Sequence, residues 1–300
     1  MTKSRKLAYA ALIYNAIIWG GAFPVVKPVF DLLSPMQYLY LRYLLAGLLS
    51  LPIFFHYYYK KHPNISYMIK SWLLELAGLA FPILILYEGL KHTSALEASL
   101  IGATGPIFVV IGGVLFLRER ETKREWQGLA LSLLGSCILI LEPLWAGHAL
   151  VGSSLYGNLL ILFYNLVWAV YAIVAKRFYK TRPPLTIGAL TYLGTAMIYG
   201  LILTSQDQLL PIFENLRIWD SRILFPVLYM AIPGGIIANI FYLYAQSKIE
   251  VSEANLFTYL NGVVAIPAAF LLLGEKPTWL TLLAISVIGY GVLRAELRKK

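Results

Sequence analysis

Arg42, Glu88 and Glu97 stand inside or at the ends of long apolar runs. In hydrocarbon each such charge costs at least about 2.5 kcal/mol, so it needs a partner or a task. Arg42 lies about two turns into its run, Glu88 ends the next run and Glu97 opens the one after. At similar depth, one cation and two carboxylates can neutralise one another. One reading is a fixed ion pair that locks helices together. The other is a gate or coupling site at Glu88 and Glu97, with Arg42 clamping a substrate carboxylate through the bidentate geometry of its guanidinium.

Uncharged polar and aromatic groups form a second set. Asn15 and Trp19 are four residues apart, on one face of a helix. Asn165, Trp168 and Tyr171 share a broader face, Asn239 and Tyr242 another, and Asn255 and Tyr259 a fourth. Such residues often only bond neighbouring helices, for about 0.6–2 kcal/mol apiece. Converging from four helices, they would instead wall a cavity of rings and amides with little fixed charge. That surface suits a small amphipathic or zwitterionic molecule, and suits a phosphorylated sugar poorly.

Catalytic and metal chemistry find no foothold. His56, His62, His92 and His148 fall in loops or at run ends without ligand spacing, and Cys137 is the single cysteine. No phosphate-binding loop or nucleophile elbow occurs, so neither ATP, a metal nor another cofactor is expected. Glu75, read as one turn into its run beside Lys70, is expected to snorkel, as are Lys27 and Lys176. Glu119 and Glu275 end their runs and are expected to cap helices or pair with loop cations.

The elements that must position these groups are membrane helices. The chain is 59% hydrophobic and 13% charged, against about 25% charged in soluble proteins. Apolar runs of about twenty residues, enough to cross roughly 30 Å of hydrocarbon, predict ten spans. They lie near 7–30, 36–58, 71–90, 95–117, 126–144, 155–178, 185–204, 223–246, 251–273 and 279–297. The expected fold class is all-α, a polytopic membrane protein. Lysine and arginine concentrate on alternate connections, which places both termini in the cytoplasm. Topology accounts for the net charge of +10, so no nucleic-acid partner is expected. The partners implied are the lipid bilayer and a small-molecule substrate; the oligomeric state is not encoded in these patterns.

The run at 95–119 recurs 156 positions later at 251–275, with Glu97/Glu253, Leu100/Leu256, Leu117/Leu273 and Glu119/Glu275 matched. Five spans separate the copies, and an odd number inverts the second. Tyr14–Lys27 likewise resembles Tyr164–Lys176, pairing Trp19 with Trp168. Two inverted five-helix units follow, 1–147 and 148–300, a transporter pattern with its site near the midplane. Pro106 and Pro267, one in each copy, are the expected hinges.

Several local features carry a family resemblance. They are Trp19-Gly20-Gly21, Leu41-Arg42-Tyr43, Pro106 thirteen residues before Glu119, and Tyr259-Leu260 ahead of Leu273-Gly274-Glu275. With these the chain resembles the EamA-type members of the drug/metabolite transporter superfamily over nearly its whole length. It departs at Gly262, where the second repeat would carry a proline. The resemblance implies a secondary transporter of the inner membrane that works by alternating access, most often an exporter of amino acids or related compounds. A proton or counter-substrate could drive it. A membrane-embedded enzyme and a non-transporting structural or sensor subunit are the alternatives.

Overall fold

A computed structural model describes residues 3–61, 64–102, 104–117, 122–145, 153–178, 188–213, 220–246, 248–249, 257 and 260–296. Among the described residues there is no β-strand. The helices are α1 (Lys3–Gly20), α2 (Ala22–Val26), α3 (Pro35–Lys61), α4 (Ile65–Glu75), α5 (Phe81–His92), α6 (Ala95–Gly102), α7 (Gly105–Leu117) and α8 (Lys123–Trp145). They continue as α9 (Ser153–Phe178), α10 (Gly188–Ser205), α11 (Leu210–Phe213), α12 (Ser221–Ala231), α13 (Ala238–Gln246), α14 (Leu260–Leu273) and α15 (Trp279–Glu296). Among the described residues, five helical stretches are long and apolar enough to cross a membrane: Ser4–Asp31, Pro35–His56, Ile65–His92, Leu155–Ala175 and Ser221–Tyr242. Leu271, Leu201 and Val170 turn apolar side chains outward, as a lipid-facing surface requires. The protein is an all-α integral membrane protein.

Local chemistry sets where helices begin. Ser34 and Gln37 cap α3 reciprocally, with Pro35 at its first position. Asn64 caps α4 by accepting from Ser66 N at 2.8 Å, and Asp220 caps α12 by accepting from Arg222 N at 2.9 Å. The Arg222 guanidinium also bonds Asp220 and holds its carboxyl below the usual carboxylate range.

These caps carry the repeat further than the sequence match did. Asn64 and Asp220 are 156 positions apart, the offset of the repeat. Each opens an 11-residue helix, and each helix runs into a π-helical turn, Leu76–Ala80 and Ile232–Ile237. Two turns of a rare geometry at equivalent positions mark places where the backbone ladder is interrupted.

The chain divides into two compact units, and each draws on both halves of the sequence. One comprises Met1–Lys27, Ile85–Ile173 and Phe241–Lys300; the other comprises Pro28–Leu84 and Val174–Ile240. In the second unit α3 packs on α10, with Gly47 at Leu193 and Gly200 at Tyr40. Numbers rise along one helix as they fall along the other, so the pair is antiparallel. In the first unit α8 packs on α15 the same way, with Gly135 at Ile288 and Gln127 bonded to Arg294. Both pairs join equivalent helices of the two repeats, and an antiparallel relation is what inversion demands.

The first unit is held by two apolar clusters. Leu96, Leu100, Ala269, Ala284 and Ile288 form one, and Ala8, Leu12, Ala245 and Ile249 the other. α5 and α9 meet backbone to backbone: a Cβ built on Gly157 would lie 2.6 Å from Gly89 O and 2.9 Å from His92 C. Backbone cannot step aside. Gly157→Ala is expected to cost about 1–3 kcal/mol, read as a lowered thermal midpoint in detergent; an unchanged midpoint would contradict this packing.

Candidate functional site

In the first unit, α1 supplies Asn15 and Trp19 from one face, as their spacing predicts. They line a narrow cleft with Leu12, Ala16, Tyr242, Phe257 and Asn261. The Trp19 and Tyr242 rings sit 5.6 Å apart at 57°, and Asn15 is buried. α1 and α14 approach closely because Gly20 has no side chain: a Cβ there would fall 2.7 Å from Asn261 O. Asn261 Oδ1 is buried and has no hydrogen-bond partner among the described residues, which leaves an acceptor in the wall. The cleft is closed here even to a water-sized solute, so it must widen to admit a metabolite.

The equivalent place on the other repeat is filled. Asn165, on α9, donates to Ile101 O at 2.8 Å and lies 3.3 Å from Thr104 Oγ1. These groups belong to the break between α6 and α7, where the chain approaches Pro106 and the helical ladder is interrupted. Ile101 O also accepts from Thr104 N at 3.0 Å and from Thr104 Oγ1 at 2.7 Å, so the Asn165 amide joins a carbonyl already held within the turn. Gly105, 156 positions before Asn261, is where Asn165 packs. One repeat thus shows a cleft and its counterpart a bonded amide.

Trp168 and Tyr171 are neighbours on α9, with rings 5.3 Å apart. Pro267 lies within α14, which continues through it. Asn255 and Tyr259 lie outside the described residues, as does Glu119. Phe257 and Asn261 were missed from sequence, although Asn261 follows Tyr259 by only two positions in a polar interruption of the run.

The turn between α5 and α6 is fastened by charge. Lys27 Nζ donates to Leu90 O at 2.8 Å, to Lys91 O at 3.3 Å and to Thr93 O, taking carbonyls left over at the end of α5. The Glu275 carboxylate accepts from Ala95 N at 3.0 Å and Leu96 N at 2.8 Å, the first amides of α6. Gly274, at φ +68°, ends α14 and turns the chain so that Glu275 can reach. The Leu273-Gly274-Glu275 motif is therefore a helix stop joined to a cap for another helix. Lys27, expected to snorkel, is bonded to backbone instead.

Glu97 and Glu88 belong to this same turn. Ser94 Oγ accepts from Glu97 N at 3.0 Å, and Thr93 Oγ1 bonds the Glu97 carboxylate and the Asn158 amide. Glu88 lies 3.2 Å from His92 Nε2, one turn along α5. Glu275→Gln is expected to weaken the turn by about 0.5–2 kcal/mol. Thermal unfolding in detergent reads this directly, and an unshifted midpoint would refute the cap.

Arg42 lies in the second unit. It is 8% exposed, and Glu75 is 8% exposed as well. The expectation that Glu75 snorkels is corrected: α4 starts at Ile65 and not near Ser71, so Glu75 is ten residues into the helix, about 15 Å deep. Both charges act at the Tyr192 hydroxyl. Tyr43 stacks on Tyr192 at 5.8 Å, with the Arg42 guanidinium over the Tyr43 ring at 5.5 Å. Asn239 Nδ2 donates to Tyr192 Oη at 3.0 Å and to Gly235 O in the second π turn. Tyr192 donates to the same carbonyl at 3.3 Å, and Tyr199 serves the first π turn, donating to Ala80 O at 2.9 Å. Two tyrosines seven apart on α10 thus cap both interruptions.

Arg42 and Asn239 therefore stand around one tyrosine in one unit, while Asn15, Trp19 and Tyr242 line a cleft in the other. Among the described residues no His, Cys, Asp and Glu side chains group as a metal site would require.

The comparisons with known proteins agree with this architecture. An uncharacterized transporter of Archaeoglobus fulgidus is 24% identical over 90% of this chain and 90% of its own. Transporter YdfC of Bacillus subtilis is 28% identical over 92% of this chain and 86% of its own. Inner membrane transporter YedA of Escherichia coli is 28% identical over 97% and 91% respectively; both bear names that mark them as uncharacterized. A crystal structure with 18% identity and a TM-score of 0.66 covers 99% of this chain and 98% of its own, which shows a shared fold. The EamA-like transporter family matches twice, over residues 6–141 and 155–295. With nearly the whole length accounted for by two copies of that unit, the chain belongs to the EamA-like transporter family and is a membrane transporter.

Proposed function

We propose that the protein is a secondary transporter of small zwitterionic or amphipathic metabolites, amino acids foremost, and that it exports them across the inner membrane by alternating access. The observation that carries this is the cleft of Asn15, Trp19, Tyr242, Phe257 and Asn261. Rings on two sides suit an apolar or cationic part, and the open Asn261 acceptor suits an ammonium donor. The bonded state of Asn165 across the repeat supports a cycle in which the two sides exchange roles.

In this reading both termini are cytoplasmic, and Pro106 and Pro267 are the points of flexure. Glu88 and Glu97 govern one gate through the turn that Lys27 and Glu275 fasten. Trp168, Tyr171, Asn255 and Tyr259 are assigned to the substrate path, and Asn239 and Arg42 are assigned substrate roles within the second unit.

The test is efflux from proteoliposomes loaded with a labelled panel of amino acids and their decarboxylated amines. Release of at least one class about tenfold faster than from protein-free vesicles is expected. Equal leakage for every solute in both preparations would overturn the reading.

A further inference from the structure

We propose that Glu75 is the proton-exchange site of the transport cycle, with Arg42 as its standing counter-ion; this rests on the transport reading above.

Depth is the first argument. The helical stretch Ile65–His92 has 28 residues, and Glu75 lies close to its middle, where hydrocarbon extends about 15 Å to either side. Arg42 is seven residues into α3, about 10 Å along it. Both are more than nine-tenths buried. Glu88 and Glu97, in contrast, sit at helix ends, engaged by His92 and Thr93.

Placement is the second. Trp72 and Glu75 are three apart on one face of α4, and Trp72 packs against α10 at Gly194, with its Nε1 2.3 Å from where a Cβ would stand. Glu75 is thereby directed to the same helix that carries Tyr192. Glu75 and, from α3, Arg42 both lie within electrostatic reach of Tyr192 on α10; Tyr43 of α3 stacks on Tyr192 and meets Tyr199 of α10, and Lys70 is five residues before Glu75 on its own helix. α13 contributes the neutral Asn239.

Chemistry is the third. A guanidinium does not release its proton in a protein, and phenols hold theirs near neutrality. Of this group the carboxylate is the member whose charge a single added proton removes. The step is transfer of a proton from hydronium to the Glu75 carboxylate: one O–H bond of hydronium breaks, the carboxylic acid O–H forms, and a water molecule is left. The net charge of the cluster rises by one. The cluster therefore carries a different charge in its protonated and deprotonated states, and that difference is what links the proton to the cycle. The π turn at Leu76–Ala80 begins at the residue after Glu75, which gives the helix a place to shift as the charge changes.

Trp72 is a built-in reporter. The protein in lipid nanodiscs is titrated from pH 5 to 9 by tryptophan emission, together with Trp72→Phe, Glu75→Gln and the double variant Arg42→Gln/Glu75→Gln, in which neither charge is left unpaired. A step in the wild type that vanishes in all three variants is expected. A flat wild-type trace, or a step that persists in Glu75→Gln, overturns the proposal.

A second arm uses proteoliposomes with labelled alanine, leucine, phenylalanine and threonine, with and without a pH gradient. An imposed gradient is expected to accelerate wild-type transport at least fivefold and to leave Glu75→Gln unaffected. Transport that ignores the gradient in the wild type overturns the proton site and leaves the transporter standing. Absence of any transport removes the transport reading, and the emission titration still decides whether Glu75 exchanges a proton.

Discussion

Arg42→Gln is expected to destabilise the folded protein by about 3–5 kcal/mol, and adding Glu75→Gln is expected to recover most of that loss. The reason is burial. Both side chains are 8% exposed and both lie within electrostatic reach of Tyr192, so in the proposed pair removing one charge leaves the other in a medium that cannot solvate it. Removing both leaves two uncharged amides in place of a cation and an anion. The measurement is a double-mutant cycle of unfolding in detergent, where interacting residues couple by about 0.5–3 kcal/mol or more. Additive losses would mean that the two charges do not compensate each other, and the pairing would fail.

Gly20→Ala is expected to remove stability and transport together. The added Cβ would fall 2.7 Å from Asn261 O and 2.7 Å from Val264 Cβ. The first of these is backbone, so α1 and α14 must part, at a cost of about 1–3 kcal/mol. Asn261 lines the cleft with Asn15 and Trp19, so the same displacement misplaces the wall. Transport should fall at least tenfold in protein that still elutes as a single species. A variant with lowered stability and unchanged transport would separate the cleft from the function.

The sequence made some of this legible and concealed the rest for physical reasons. The offset of 156 was visible where leucines and glutamates repeat, at 95–119 and 251–275. The same offset at Asn64 and Asp220 was not, since the residues differ and only their capping geometry agrees. The π turns were hidden altogether, because hydrophobic membrane helices show no amphipathic period whose slip would betray an extra residue per turn.

Arg42 stands out in the sequence, whereas Glu75 reads as shallow from its estimated depth. That estimate started the third span near Ser71. The stretch from Ile65 to Lys70 is already helix, which moves Glu75 from the first turn to the third. Asn15 and Trp19 were paired by spacing, and the cleft joins them. Asn261, whose free acceptor gives that cleft its polarity, escaped because one asparagine in an apolar run resembles any helix-bonding amide.

The central claim is that the cleft on α1 and α14 holds the substrate. It is tested most directly by the transport rate of Trp19→Ala and Asn261→Ala in proteoliposomes, at matched protein incorporation and with a solute that the wild type moves. Both substitutions remove wall without adding bulk, so folding should persist while the rate falls at least tenfold. Wild-type rates in both variants would contradict the account and place the substrate elsewhere.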